Sequence, residues 1–216
     1  MKILVVGGTG FLGGAVTAEA VTAGHEVSIF TRGRTPLELP SSVTVLVGDR
    51  HTDLSALHGM CFDLVVDTCA FTPLSVSLLL HALSPDIGKY ALVSSCSVYS
   101  DCSLPDVDED GPAPYATEDQ LAFANAIPLA ERSDAMSYGQ AYGPLKRSAE
   151  LVAIDRLNDR ALILRSGLLV GAGDYSDRLT YWVRRVDEGG AMVAPGDPTR
   201  RIQFIDVRDA ANFIVA

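Results

Sequence analysis

The chain has 216 residues, of which 48% are hydrophobic and 20% charged, and its formal net charge is −10. This length suits one well-buried domain, and the composition is that of a globular protein rather than a disordered one. The acidic balance argues against a nucleic acid or an anionic membrane as the main partner, because both attract clustered lysine and arginine. We therefore expect neither partner, although a local basic pocket remains compatible with this charge.

The spacing of cysteines and histidines does not indicate a metal site. The cysteines, Cys61, Cys69, Cys96 and Cys102, form neither a C-x-x-C pair nor a regular framework. We interpret them as buried or incidental thiols in a reducing compartment. The four histidines are scattered without metal-ligand spacing, so no metal is expected. No signal-peptide pattern or bilayer-length apolar run is present, and the expected location is therefore cytoplasmic.

Short β-branched runs alternate with helix-length segments along the chain. The predicted strands are residues 3–6, 27–30, 43–47, 64–66, 90–94 and 161–165. The predicted helices are residues 11–22, 54–58, 73–83, 119–125, 142–158, 176–187 and 206–216. This alternation is typical of an α/β protein with a doubly wound parallel sheet, the Rossmann fold.

Residues 100–137 differ in composition from the rest of the chain, because aspartate, glutamate and proline are concentrated there. Long loops in small domains are uncommon and often cover a site. A solvated insertion with no role is the alternative, and the sequence leaves both open.

A glycine motif marks the first strand-to-helix turn. Gly7, Gly10 and Gly13 follow a buried strand and open a helix. In this context Gly7 permits the tight turn, Gly10 lets the backbone approach a pyrophosphate, and Gly13 lets helix and strand pack closely. The pyrophosphate would lie at the helix N-terminus, where N–H groups and the macrodipole favour negative charge. The predicted cofactor-binding set here is Gly7, Thr9, Gly10, Phe11, Leu12 and Gly13.

The end of the second strand indicates which dinucleotide is bound. NAD enzymes usually place a carboxylate there for the ribose 2′-OH, whereas an arginine accommodates the 2′-phosphate of NADP. Here the strand ends in Thr31 and Arg32 without an acid. NADP(H) is therefore favoured, and NAD(H) is the alternative if Arg32 is only a surface charge. Asp49, after the third strand, is predicted to meet the adenine edge, with a turn role as its rival. Arg50 and Ala70 complete the predicted cofactor-binding set.

Tyr142 and Lys146 are four residues apart, which places them on one face of a helix. The ammonium is expected to lower the pKa of the phenol, so that Tyr142 exchanges a proton with a substrate hydroxyl or carbonyl. Lys146 could also hold the nicotinamide ribose. Pro144 requires the helix to begin close to Tyr142. The serines at 94–97 follow the fifth predicted strand, where ligands of doubly wound sheets bind, and one could polarise a carbonyl.

These motifs together resemble the extended short-chain dehydrogenases/reductases of the NAD-dependent epimerase/dehydratase family. The matching pieces are residues 7–13, 48–50, 94–99, 142–146, 165–167 and 204–209. The family's catalytic serine lies four residues before the tyrosine that ends the serine stretch, which implies Ser95 here beside Tyr142 and Lys146. Two departures are Thr31-Arg32 in place of an acid, and Ser166 and Ala172 where prolines are frequent.

The resemblance implies a division into residues 1–165, the dinucleotide-binding domain, and 166–216, a partial substrate-lobe segment interleaved with the Rossmann core. Family members usually continue past the 206–209 helix start, so a C-terminally incomplete substrate lobe is expected. The implied function is hydride transfer to or from a hydroxyl or ketone carbon of a small-molecule substrate such as a nucleotide sugar. A homodimer is among the expected assemblies. The alternative is a non-catalytic dinucleotide-binding protein with a regulatory or RNA-associated role.

Overall fold

Six parallel strands form the main sheet of this computed structural model, which describes residues 1–34, 39–101, 106–194 and 196–216. They are β1 (Lys2–Val6), β2 (Glu26–Thr31), β3 (Thr44–Val47), β4 (Leu64–Asp67), β5 (Lys89–Ser95) and β6 (Ala161–Ser166). Their order is β3-β2-β1-β4-β5-β6, and every neighbouring pair is parallel. This is the Rossmann order, so the predicted fold class is confirmed. The order reverses between β1 and β4, which opens a crevice at the carboxyl ends of these strands.

The helices cover both faces of this sheet. They are α1 (Phe11–Thr22), α2 (Pro73–Ala82), α3 (Glu118–Ala126), α4 (Tyr142–Leu157), α5 (Thr180–Asp187) and α6 (Val207–Val215). Short 3-10 turns occur at Ser55–Leu57, Cys96–Val98, Ala135–Ala141 and Asn158–Arg160. A second, two-stranded parallel sheet pairs β7 (Leu168–Val170) with β8 (Phe204–Asp206).

The unbroken apolar runs of the inner strands follow from burial on both faces. In β1, Ile3 and Val5 belong to the cluster that includes residues of α1 and α6, whereas Leu4 and Val6 belong to the cluster that includes α2 and α4. Ala210 of α6 is in the same cluster as Val16 of α1. The helix after β8 is therefore part of the Rossmann core, although it lies far along the chain.

The structure differs from the sequence prediction mainly after β6. The sheet of β7 and β8 was not predicted, because three-residue strands carry almost no periodic signal. Helix α5 begins at Thr180 rather than at residue 176. The carboxylate of Asp174 accepts hydrogen bonds from the backbone N–H of Ser176 and of Arg178, so these residues form a turn instead.

The acidic segment 100–137 is folded back onto the core where the structure describes it. The predicted helix at 119–125 is confirmed as α3. The backbone N–H of Ser100 donates to Pro112 O at 2.8 Å, and Ala116 N–H donates to the hydroxyl of Ser148 on α4. Cys102, interpreted above as a buried or incidental thiol, lies outside the described residues. In the described ranges, no helix is both long enough and apolar enough to cross a membrane.

Candidate active site

The glycine cradle has the backbone geometry that a phosphate requires. Gly7 has a φ of +83°, and its N–H donates to Phe30 O at 3.0 Å, which ties the turn to β2. Gly10 caps α1 with no side-chain hydrogen bond, so the first N–H groups of the helix are not covered by a capping side chain. A Cβ at Gly13 would lie 2.1 Å from Gly7 O. Glycine is therefore needed at both Gly7 and Gly13, and the N-terminus of α1 faces the cleft.

The cleft above this cradle has a volume of about 370 Å³. Its walls include ten of the predicted cofactor-binding residues: Gly7, Thr9, Gly10, Phe11, Leu12, Gly13, Thr31, Arg32, Asp49 and Arg50. Among the described residues that line it, the arginines are Arg32, Arg34, Arg50, Arg132 and Arg178, against a single carboxylate, Asp49. An acidic chain thus contains a basic pocket, which suits an anionic ligand.

The end of β2 and the turn after β3 shape one end of the cleft. The hydroxyl of Thr31 accepts from Gly33 N–H at 3.3 Å and lies 3.4 Å from the hydroxyl of Thr9. The carboxylate of Asp49 accepts from His51 N–H at 2.9 Å. Asp49 therefore has the turn role considered above. It also lines the cleft, and its contact with adenine stays a prediction.

Arg50 lines the cleft and is anchored in the core by hydrogen bonds. Its guanidinium forms a bidentate ion pair with Asp67 at 2.8 and 2.9 Å and also donates to Ser75 O. The hydroxyl of Tyr90 donates to the same carboxylate at 2.7 Å. Burial alone would raise the pKa of Asp67, but the charge and hydrogen bonds of Arg50 hold it below its ordinary value. The guanidinium of Arg50 is thus committed largely to the core, and its contact with a cofactor remains a prediction.

Tyr142 and Ser95 meet at the carboxyl end of β5. Tyr142 is the first residue of α4 and Pro144 lies in the first turn, as the sequence predicted. Burial raises the pKa of the Tyr142 phenol, and its hydrogen bond with Ser95 lowers it in part. The net shift is upward, so the expected lowering by Lys146 is wrong for this structure.

The amine of Lys146 is directed at backbone carbonyl groups and not at the phenol of Tyr142. Its side chain is buried, and Nζ donates to Ala70 O at 2.7 Å and to Val93 O. Burial lowers the pKa of this amine to about 8. An ammonium has three N–H donors, so two carbonyl bonds leave one for a further acceptor such as a ribose hydroxyl. Ala70 is fully buried, and its carbonyl positions Lys146.

Phe71 is a site residue that the sequence reasoning missed. It lines the cleft, stacks on Tyr138 with ring centroids 5.5 Å apart, and lies 6.2 Å from the ring of Tyr142. Lys146 Nζ lies 5.8 Å from the centroid of the same ring. Phe71 therefore connects the cradle with the Tyr142 side of the site. Its position shortly after the carboxyl end of β4 was the available signal.

Several other cleft residues were also missed, namely Cys69, His51, Leu129, Arg132, Ser133 and Tyr175. Arg178 also faces the cleft and pairs with Asp174 at 3.2 Å. Most of these residues come from loops, and none belongs to a local motif. Only the tertiary structure brings them together.

The doubly wound sheet carries a glycine cradle after its first strand, and the helix with Tyr142 and Lys146 packs against its fifth strand. No protein-family model matches the chain. Solved structures of epimerases and dehydratases do match it. A UDP-galactose 4-epimerase is 20% identical with a TM-score of 0.69, and the match covers 100% of this chain and 70% of that one.

Two further structures are also similar in fold. A UDP-glucuronic acid 4-epimerase from Bacillus cereus, in complex with NAD, is 23% identical with a TM-score of 0.69, covering 98% of this chain and 72% of that one. A human epimerase family protein with NADPH is 21% identical with a TM-score of 0.64, covering 98% and 68%. The chain therefore has the fold of the NAD-dependent epimerases and dehydratases, as the motifs predicted.

A curated sequence relative adds a different kind of likeness. The chloroplast stem-loop binding protein of 41 kDa b from Arabidopsis thaliana is 37% identical over 131 residues. The matched segment is 52% of this chain and 34% of that protein. The match thus spans about a third of the length of the curated relative.

Proposed function

We propose that the chain belongs to the epimerase/dehydratase family and is an enzyme that transfers a hydride between a nicotinamide dinucleotide and a hydroxyl or ketone carbon. The observation that carries this is the contact between Ser95 and Tyr142 at the same strand edge as the cradle, with Phe71 between the two parts. A cradle alone would support binding only. A hydroxyl pair with a buried lysine one helical turn away adds the groups that proton transfer needs.

The cleft fits a dinucleotide by its own geometry. A Cβ at Gly13 would collide with the backbone of Gly7, and a Cβ at Gly7 would collide with the side chain of Thr68. The N-terminus of α1 faces the cleft. The arginines of the lining supply charge for the phosphates. NADP(H) is the proposed form because Thr31 and Arg32 lie at the end of β2 where NAD enzymes usually have an acid. NAD(H) is the alternative.

The bound nicotinamide supplies or accepts the hydride, and the chain's own groups handle the proton. In the reducing direction Tyr142 gives its phenolic proton to the substrate oxygen as the carbonyl carbon gains the hydride, and the C=O becomes C–OH. The raised pKa of Tyr142 keeps this phenol protonated at neutral pH. Ser95 donates a hydrogen bond to the same oxygen, and the N–H of Lys146 that its two carbonyl bonds leave over holds a hydroxyl of the nicotinamide ribose.

The proposed substrate class is a nucleotide sugar. Two epimerases of the same fold are named for such substrates, UDP-galactose and UDP-glucuronic acid. Residues 166–216, which include the β7–β8 sheet and are interleaved with the Rossmann core through α6, are the proposed substrate side. A homodimer is the proposed assembly. These parts rest on the likeness of fold and not on a contact within the site.

The test is the Tyr142→Phe variant assayed against a panel of nucleotide sugars and ketones with NADPH and NADH. We expect turnover to fall by at least about a thousandfold, while the Kd for the dinucleotide changes less than about twofold, because the phenol acts on the substrate. Tyr175→Phe is the matched control, since Tyr175 lines the same cleft but is 88% exposed. Turnover that survives in Tyr142→Phe would overturn the assignment.

A second candidate is a dinucleotide-binding protein that associates with RNA. The stem-loop binding relative favours it by name. The net charge of −10 weighs against it, as does the Ser95–Tyr142 contact, which RNA binding does not need. Binding to a labelled RNA stem-loop at 50 mM and 200 mM salt, with no turnover on any panel substrate, is the result that would favour this second candidate.

A further inference from the structure

A segment more than a hundred positions from β2 lies against the end of that strand. Arg32 donates from Nη2 to the hydroxyl of Ser133 at 3.3 Å, and the two residues are 101 positions apart. Leu129, Arg132 and Ser133 line the same cleft as Thr31 and Arg32. Residues 127–134, here called the 127–134 wall, therefore face the end of β2.

The 127–134 wall is held in place by hydrogen bonds of its own. Arg132 donates from Nε to Ile127 O at 2.8 Å and from Nη2 to Asn125 O at 2.5 Å. The hydroxyl of Tyr138 donates to Arg132 O at 2.9 Å. A guanidinium has five N–H donors, so these two bonds hold the side chain and leave others for an anion. Arg132 is thus preorganised at the cleft rather than free in solvent.

The electrostatics at this end of the cleft favour a negative ligand. His51 lines it, and burial together with nearby positive charge lowers the pKa of the imidazole to about 4. The positive charges are those of Arg50, Arg132 and Arg32, and the charge of Asp49 acts in the opposite direction. Arg32 at the end of β2, Arg50 in the turn after β3 and Arg132 of the 127–134 wall are therefore all close enough to His51 to affect its charge.

We propose that Arg132 and Ser133 of the 127–134 wall form, with Arg32, a subsite for a phosphomonoester on the adenosine ribose. This rests on the proposed function, because it assumes that a dinucleotide occupies the cleft. It adds that the preference for the phosphorylated cofactor is shared between the end of β2 and a distant segment. Arg132 contacts the phosphate as a charged donor, and Ser133 holds Arg32 in register with it.

The experiment uses adenosine 2′,5′-bisphosphate and adenosine 5′-diphosphate as probes, with NADPH and NADH as the full ligands, in calorimetric titrations of the whole chain. For the wild type we expect the bisphosphate to bind on the order of tenfold more tightly than the diphosphate. In Arg132→Met this ratio should collapse towards one, while the affinity for the diphosphate stays unchanged. In Ser133→Ala the ratio should fall by about threefold.

Arg185→Met is the matched control. Arg185 also donates to two nearby carbonyls, Gly189 O and Ala191 O, but it lies on α5 and not in the cleft. A purely structural role for Arg132 would weaken both probes equally, which would overturn the proposal. An unchanged ratio in both Arg132→Met and Ser133→Ala would also overturn it. If Arg132→Met does not fold, Ser133→Ala alone tests the proposal. Ser133 is exposed, so its substitution should not disturb folding.

The same titrations separate the two levels of inference. If neither NADPH nor NADH binds the wild type, the proposed function fails, and the subsite fails with it. If both bind and the ratio of the affinities for the two probes is the same in the wild type, Arg132→Met and Ser133→Ala, the proposed function stands and only the subsite is wrong.

Discussion

The carboxylate of Glu150 and the guanidinium of Arg165 form a buried ion pair that joins α4 to β6 at 2.8 Å. Glu150 is fully buried and also accepts from the hydroxyl of Ser94, the residue before Ser95. Arg165 continues to the hydroxyl of Tyr99 at 3.0 Å and to Glu109 O at 2.8 Å. This one pair therefore links the carboxyl end of β5 to the acidic segment that follows it.

Arg165→Met should loosen that acidic segment. We expect faster hydrogen exchange across residues 106–117 and a loss of about 2 kcal/mol in the free energy of unfolding. Loss of one partner leaves a buried charge, although Arg147 still pairs with Glu150. Mass-spectrometric exchange and urea unfolding measure the two effects. Arg208→Met, which breaks an exposed pair with Asp206, is the control and should change neither. Equal exchange in wild type and Arg165→Met would contradict the link.

Two neighbouring glycines should respond in opposite ways to alanine. In Gly13→Ala the new Cβ meets Gly7 O at 2.1 Å, so the cradle must shift. We expect a loss of about 1–3 kcal/mol in unfolding free energy and at least a tenfold rise in the Kd for NADPH. In Gly14→Ala the nearest atom lies 3.9 Å away, and helix propensity should raise stability by up to about 1 kcal/mol. Thermal unfolding and titration compare the pair. A Gly13→Ala variant as stable as the wild type would show that the contact can relax.

Asp67→Asn should destabilise the core beneath the cleft. Removal of this carboxylate leaves Arg50 charged and buried, at a cost of about 3–5 kcal/mol in unfolding free energy. The pKa of Asp67 is held below its ordinary value of 3.8, so its stabilisation is present above that pH. The stabilisation is lost as the pH falls through the folded-state pKa. Urea unfolding between pH 3 and pH 7 should show the gap between wild type and variant shrinking only below about pH 4. A gap that stays constant with pH would rule out this linkage.

Lys146 should make the stability of the chain rise in mildly alkaline solution. Burial lowers the pKa of its amine from 10.5 to about 8. Between these two values the unfolded chain binds more protons than the folded one, so folding becomes more favourable as the pH increases. Relative to Lys146→Met, the wild type should gain up to about 3 kcal/mol between pH 8 and pH 10.5, measured by urea unfolding. Because both proteins share every other titrating group, the difference isolates Lys146. A gain at lower rather than higher pH would contradict the assignment.

The strands and the cradle could be predicted because their signals are local. Each inner strand of the sheet is a short apolar run, and burial on both faces requires that pattern. Gly7 and Gly13 lie close in sequence and in space, so their spacing alone indicated a turn against a helix. The start of α4 at Tyr142 followed from Pro144, which cannot lie deeper in a helix.

The protonation of the site was decided only by the tertiary structure. The four-residue spacing of Tyr142 and Lys146 predicts that they share a face, and it predicts nothing about burial. Burial raises the pKa of the phenol and directs the amine to Ala70 O and Val93 O. Desolvation depends on everything packed around a group, and that includes chain far away in sequence.

The amino-acid sequence by itself thus determined the Rossmann fold, the glycine cradle and the helix that carries Tyr142. Only the tertiary structure decided that Arg50 serves the core and that Phe71 joins the cradle to Tyr142. It alone brought Ser133 to Arg32 across 101 positions. The physical reason is that backbone geometry follows from neighbours in sequence, whereas charge, burial and the walls of a cleft follow from neighbours in space.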